Sequence, residues 1–198
     1  MRTQRLSNGT DIIVFDFETT GFSPYNNEII EIGAWHFRDG VATGKFERRI
    51  KPDRYVPADV MRLTGITNEA LEGCDPIDVV LPEFIDFIGE YDLMGYNIDF
   101  DYRFLCVKSK ALGFDVTLNG QRRGIDVLKS VKKTFNFKSN KLGDVAREMG
   151  IPCDTGLHTA IFDAYITKQV YDRCPKETPT LLDKTKYGKP VIKDTLEW

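Results

Sequence analysis

The chain has 198 residues, 41% of them hydrophobic and 29% charged. That is enough for one domain burying roughly two-thirds of its surface, and it lacks the bias of a disordered chain. No apolar run approaches the ~20 residues needed to span a bilayer, and Met1 to Thr10 holds no apolar core for a signal peptide. These features exclude a membrane partner and lead us to expect a cytoplasmic protein. The net charge of −3 runs against a uniformly basic nucleic-acid-coating protein. Cys74, Cys106, Cys153 and Cys174 are scattered with no Cys-x-x-Cys pair, and are expected as free thiols.

In chain order, the apolar run Ile12 to Phe17 predicts a central strand buried on both faces, and Ile29 to Phe37 a second. Arg38-Asp39-Gly40 marks a turn into a third strand, Lys45 to Ile50, giving an antiparallel meander. Gly40 to Phe46 has the look of a phosphate-binding loop, but is one spacer short, lacks the final Ser/Thr, and fits a strand-to-strand turn better. Ile77, Val80, Leu81, Phe84, Ile85 and Ile88 recur at helical spacing, with Pro82 forcing a kink or a late start. Leu93 to Tyr96 reads as a short strand. Asp99 then opens a helix closed by Gly113, Gly124 to Val127 is a strand leading into a basic helix, and Ser139 caps a helix stopped by Gly150. A last helix runs from about Thr159 to Arg173. We expect one α/β domain over 1–174, a mixed sheet with helices on its faces, and a polar tail or linker over 175–198.

Chemistry concentrates at three places. Asp16 and Glu18 lie at i and i+2 at the end of the first strand, so both point to one side, about 6.6 Å apart along the chain. Such an acidic pair in an apolar strand is costly unless something compensates it, and no basic residue is near in sequence. Asp101 sits in the first turn of its helix. Read alone it is a macrodipole partner, but Asp99 can fill that role and leave Asp101 free. His158 and Asp163 would sit ~140° apart on a helix and could not share a face. With His158 in a loop just before the helix, for which Thr155-Gly156 is suitable, both reach one place. Ala160, Asp163, Ala164 and Thr167 form a stripe small enough to approach the sheet closely. A fourth feature is a cationic stretch: Arg103, Lys108, Lys110, Arg122, Arg123, Lys129, Lys132, Lys133, Lys138 and Lys141, opposed only by Asp115 and Asp126. It reads either as solvated helix faces or as a phosphate-tracking surface.

Taken together, Phe15-Asp16-Phe17-Glu18-Thr19-Thr20-Gly21, Asn97-Ile98-Asp99-Phe100-Asp101 and His158-Thr159-Ala160-Ile161-Phe162-Asp163-Ala164 resemble the three motifs of the DnaQ-like proofreading exonucleases in their DEDDh branch. The resemblance covers about Asp11 to Arg173, and includes Glu28 to Ala34 and Thr64-Gly65-Ile66-Thr67. Thr159 stands where a sister branch has Tyr. One departure is Tyr96, where the family usually has His. The resemblance implies a ribonuclease-H-like fold and 3′→5′ hydrolysis of DNA ends, releasing nucleoside 5′-monophosphates. It implies Asp16, Glu18, Asp101 and Asp163 as ligands of two divalent ions, Mg²⁺ or Mn²⁺, a choice that suits hard oxygen ligands, and His158 as general base. It also implies substrate contacts from Phe17, Thr19, Thr20, Gly21, Phe22, Thr64 and Asn97, with Lys132 and Lys133 on the backbone. The implied partners are a single-stranded or frayed DNA 3′ end and a DNA polymerase subunit. Two alternatives stay open: an RNA exonuclease of the same superfamily, oligoribonuclease-like or RNase T-like, and a non-catalytic polymerase-associated module. Asp16-Phe17-Glu18-Thr19-Thr20-Gly21 favours DNA, and the filled ligand positions favour an enzyme.

Overall fold

The computed structural model describes residues 11–153 and 158–182. Strands β1 (Asp11–Thr19), β2 (Ile29–Arg38) and β3 (Val41–Arg49) form the expected meander. Asp39 (φ 51°) and Gly40 (φ 82°) make the two-residue turn between β2 and β3, where positive φ matches the twist of the paired strands. Short helices α1 (Ala58–Thr64) and α2 (Asn68–Leu71) follow, then α3 (Ile77–Ile88), β4 (Asp92–Gly95), α4 (Ile98–Ala111), β5 (Arg123–Asp126), α5 (Val127–Thr134), α6 (Leu142–Glu148), α7 (Ala160–Tyr171) and β6 (Thr180–Leu181). The sheet runs β3-β2-β1-β4-β5-β6, with β1, β4 and β5 parallel and the other pairings antiparallel. The carboxyl ends of the three parallel strands therefore open on one side, where such sheets bind ligands.

Alternation along β1 divides the core. Ile13, Phe15 and Phe17 face one layer with Val80, Leu81 and Phe84 of α3 and Phe104 and Leu105 of α4. Val14 faces the other, with Val131 of α5, Val145 of α6 and Ala164 and Val170 of α7. Helices thus cover both faces, as the sequence predicts, and Asp16 and Glu18, in phase with Val14, are directed toward α7. All four cysteines are free, and no helix among the described residues is long and apolar enough to cross a membrane.

Local chemistry moves three boundaries. Helix α4 has Asn97 at its N-cap (φ 63°), not Asp99, whose carboxylate instead meets Lys129 Nζ at 3.1 Å. Helix α6 is capped at Lys141, and Ser139, two residues earlier, donates to Asp144 Oδ2 at 2.6 Å. The stretch after Pro175, expected as tail or linker, stays on the fold as far as residue 182. β6 pairs with β5, Leu182 N donates to Arg122 O at 2.9 Å, and the Leu182 side chain is buried. Three prolines and many polar residues in 175–198 mask Leu182, whose buried side chain anchors it. The remainder of the expected tail, 183–198, lies outside the described residues.

The small-residue stripe of α7 does what its composition suggests. Ala160, Ala164 and Thr167 are buried against the sheet, and the backbones approach closely at Gly33 of β2. A Cβ there would stand 2.0 Å from Ile161 N and 2.2 Å from Ala160 C. Because backbone cannot give as a flexible side chain does, Gly33→Ala must push α7 off the sheet. We expect a loss of about 1–3 kcal/mol or more, read as a lower urea midpoint; an unchanged midpoint would contradict this packing.

Candidate active site

At the end of β1, carboxylate oxygens of Asp16, Glu18 and Asp163 lie within 4.8 Å of one another. Asp16 and Glu18 come from one face of β1, and Asp163 from the first turn of α7. Asp101, the fourth predicted ligand, is 2% exposed beside them on α4, but it is not part of that trio. Its Oδ1 accepts the Phe17 backbone N–H at 3.1 Å, which ties the start of α4 to the strand that bears Asp16 and Glu18. Asp126, at the N-cap of α5, lies close enough to Asp101 to add its negative field.

No ion pair to a Lys or Arg relieves the four carboxylates among the described residues, and Asp163 Oδ1 is buried with no hydrogen-bond partner. Their acidities record the strain. Burial, and then Asp101, Asp163, Glu18 and Glu31, push Asp16 well above the ordinary carboxylate range. Burial first, then Asp163, Glu31 and Asp101, raise Glu18 to about 8. Burial raises Asp101 to about 8 against the opposing hydrogen bond from Phe17. Asp163 rises less, to about 6, because burial is offset by His158, whose backbone also hydrogen-bonds its carboxyl. A hard oxygen set with an orphaned buried oxygen and no Lys or Arg paired to it among the described residues fits a divalent metal. Asp16, Glu18 and Asp163 would hold it, with Asp101 adjacent.

His158 lies in the turn before α7, outside the helix, exposed, with the unusual φ of 71°. That placement brings it to the same end of the sheet as Asp163, as the spacing argument requires; Thr155 and Gly156 lie outside the described residues.

The nucleotide-contacting candidates divide. Phe22 is 87% exposed, its ring edge against Phe100 at 6.4 Å. Its loop is braced from within: Asn27 accepts from Ser23 N and donates to Thr20 O, Thr20 Oγ1 accepts from Glu28 N, and Thr19 Oγ1 donates to Gly21 O. Gly21 packs so closely on Asn27 that a Cβ would stand 2.6 Å from Nδ2. Asn97 is exposed at the head of α4. The Phe17 ring is buried against Phe15 and Phe84 and its N–H donates to Asp101 Oδ1, which leaves its backbone carbonyl as the group to carry the expected substrate contact. The Thr64 hydroxyl donates to Val60 O and accepts from Ile66 N, which leaves it shaping the turn at Gly65. Tyr96, where the resemblance expects His, donates its hydroxyl to Asn140 O at 2.7 Å and pins the end of β4 to the α6 approach.

Four members of the cationic stretch are engaged by the fold. Arg122 is buried and braces the carbonyls of Val116, Tyr91 and Gly89. Arg123 pairs with Asp92, Lys129 with Asp99 and Asp126, and Lys133 with Glu177. Lys132 and Lys133 are exposed on α5.

Sequence reasoning assigned no role to Glu31. It sits opposite Glu18 across the β1–β2 ladder, 4% exposed, and its field bears on Asp16, Glu18 and Asp163. The available signal was the one that flagged Asp16 and Glu18: a charge interrupting an apolar strand, here Ile29 to Ala34.

The architecture defines the class. A six-stranded mixed sheet with helices on both faces is the ribonuclease-H-like fold of exonuclease I (TM-score 0.73, 17% identity, 83% of this chain and 41% of that one). The nuclease domain of 3′hExo, a DEDDh family member bound to rAMP, shares it (TM-score 0.70, 20% identity, 84% of this chain and 92% of that one). Residues 13–171 match the family described as exonuclease, and the chain belongs to it: it is an exonuclease, a hydrolase of phosphodiester bonds. It is 31% identical over 173 residues to a DNA polymerase III subunit epsilon of Aquifex aeolicus, covering 87% of this chain and 83% of that one. It is also 38% identical over 161 residues to a PolC-type DNA polymerase III of Thermotoga petrophila. That alignment covers 81% of this chain, which spans only 12% of the much longer polymerase.

The raised pKa values set a stability profile. Glu18, Asp101 and Asp163 have folded values of about 8, about 8 and about 6, above their ordinary 4.5, 3.8 and 3.8. A group raised on folding binds its proton more tightly in the folded state. Its contribution is complete below the ordinary value and is lost as pH climbs through the folded value. In EDTA the melting temperature should therefore fall between about pH 5 and 8, and Mn²⁺ should raise it more at pH 8 than at pH 5. A metal-free melting temperature that is flat or rising across that range would contradict the carboxylate crowding.

Proposed function

We propose that the chain removes nucleotides one at a time from the 3′ end of DNA, releasing nucleoside 5′-monophosphates, with two divalent ions at its acidic site. The observation that carries this reading is the convergence of Asp16, Glu18 and Asp163 with Asp101 beside them and His158 in the adjoining turn. Two Mg²⁺ or Mn²⁺ ions, when bound among these carboxylates, supply activation of a water and neutralisation of charge at the leaving 3′ oxygen. His158 accepts the proton of the attacking water. Phe22, exposed at the mouth, stacks on the terminal base and so tolerates any base. The Thr19–Gly21 backbone and Asn97 hold the terminal sugar and phosphate. DNA is favoured over RNA by the replicative polymerase relatives, and a polymerase subunit is the partner that fits them.

The deciding experiment uses matched 5′-labelled single-stranded DNA and RNA, linear and circular, with Mn²⁺ or EDTA. We expect stepwise shortening of linear DNA from the 3′ end, no cleavage of circles, and no activity in EDTA. His158→Ala should be slower by about 10²–10⁴-fold with metal binding kept. Cleavage of circles would mean an endonuclease, faster shortening of RNA would move the substrate to RNA, and full activity in EDTA would remove the metal reading.

Lys132 and Lys133 are the cations we propose on the DNA backbone upstream of the cut. Each phosphate deprived of its lysine should flatten the salt dependence of binding by about one unit of log–log slope. Replacing both with Ala should lower the slope by about one to two, the lower figure if Glu177 keeps Lys133 occupied. A wild-type slope in the double variant would leave the pair as a solvated face.

A further inference from the structure

Helix α7 carries Asp163 in its first turn and is preceded by His158, so whatever fixes its first turn fixes both. Its own sequence provides little: the N-cap, Thr159, makes no side-chain capping bond. The first N–H groups of a helix have no acceptor within it and need one from outside. The neighbouring strand provides it. Glu31 Oε2 accepts the Ala160 N–H at 2.9 Å, while its other oxygen, Oε1, accepts Arg49 Nε at 3.0 Å. Two residues further along the same face of β2, Gly33 admits the Ala160–Ile161 backbone. Two further still, Trp35 Nε1 donates to Ile161 O at 3.0 Å. One face of one strand thus holds a donor, a backbone approach and an acceptor of a single helical turn.

A purely structural cap would be poorly served by a glutamate here. Glu31 stands directly opposite Glu18, and like charges facing across strands are destabilising. Its field also bears on Asp16 and Asp163. What the carboxylate offers in return is a strong two-oxygen clamp, with one oxygen on the helix and the other on Arg49 at the half-exposed edge strand. We propose that Glu31, held by Arg49, is a positioning residue that fixes the α7 terminus and with it Asp163 and His158. This rests on the exonuclease reading above.

The test compares wild type, Glu31→Ala and Glu31→Gln in the full chain, measuring kcat and KM on single-stranded DNA and Mn²⁺ affinity by calorimetry. Removing a group that orients metal ligands costs about 10–100-fold in metal affinity or activity. Glu31→Ala should therefore lose about that much in kcat, with weaker Mn²⁺ binding, while KM stays within about threefold, because Phe22 and its loop are untouched. Glu31→Gln retains an acceptor for the Ala160 N–H and should recover most of the lost kcat. Should Glu31→Ala fail to fold, Arg49→Ala loosens the same clamp from the exposed side and should lower kcat several-fold at unchanged KM. Wild-type kcat in folded Glu31→Ala or in Arg49→Ala would overturn the proposal, as would Glu31→Gln being as impaired as Glu31→Ala. A wild-type protein that neither binds Mn²⁺ nor shortens DNA would instead overturn the exonuclease reading, and the proposal with it.

Discussion

Everything at the functional end of this molecule answers to electrostatic crowding. Two ionised carboxylates at the 4.8 Å that bounds the Asp16–Glu18–Asp163 trio repel by about 3–4 kcal/mol at an effective dielectric constant of about 20. Three such pairs approach the whole folding stability of an ordinary domain, roughly 5–15 kcal/mol. Without a cation this crowding favours retained protons, the direction in which burial and neighbouring carboxylates move Glu18 and Asp101. The fold keeps the carboxylates together because none is free to leave. Asp16 and Glu18 lie on the part of β1 laddered to β2, Asp101 is tied to Phe17 N, and Asp163 is on a helix pressed to the sheet at Gly33.

That frame also explains a division of labour across β1. Its apolar face, with Phe15 and Phe17 packed on Phe84, anchors the strand in the larger core layer. Its other face is free to present charge, because the helix opposite brings small residues, Ala160 and Ala164, rather than bulk. Close approach is therefore not incidental packing. It is how a carboxylate on one layer reaches carboxylates on another, and Gly33 is the residue that permits it.

Much of this was legible from the sequence, because the signals were local. The i, i+2 acidic pair in an apolar strand, the histidine five residues ahead of an aspartate, and the small-residue stripe each determine geometry within one element. The two faces of the sheet followed from the same alternation. What escaped depends on partners distant in the chain. Glu31 draws its meaning from Ala160, 129 residues away, and Arg122 is a buried brace for three carbonyls rather than a surface cation. The 175–182 stretch joins the sheet through the Thr180–Leu181 backbone and the buried Leu182, a single apolar anchor among prolines and charges that raises no periodic signal. Phe17 shows that a motif contributes its backbone as well as its side chains, since its ring belongs to the core.

The same consumption of charge bears on how substrate arrives. In a chain of net charge −3, four cations of the 103–141 stretch brace carbonyls or pair with Asp92, Asp99, Asp126 and Glu177. Nucleic-acid affinity is dominated by phosphate neutralisation, so affinity for DNA by itself should be weak. The acidic mouth strengthens the point, since without metal its crowded carboxylates repel a phosphate. Weak intrinsic binding is a handicap for an enzyme that searches alone. On the proposed reading it suits an enzyme whose substrate end is delivered by a partner, because a tightly held terminus would be trimmed whether or not it needed to be.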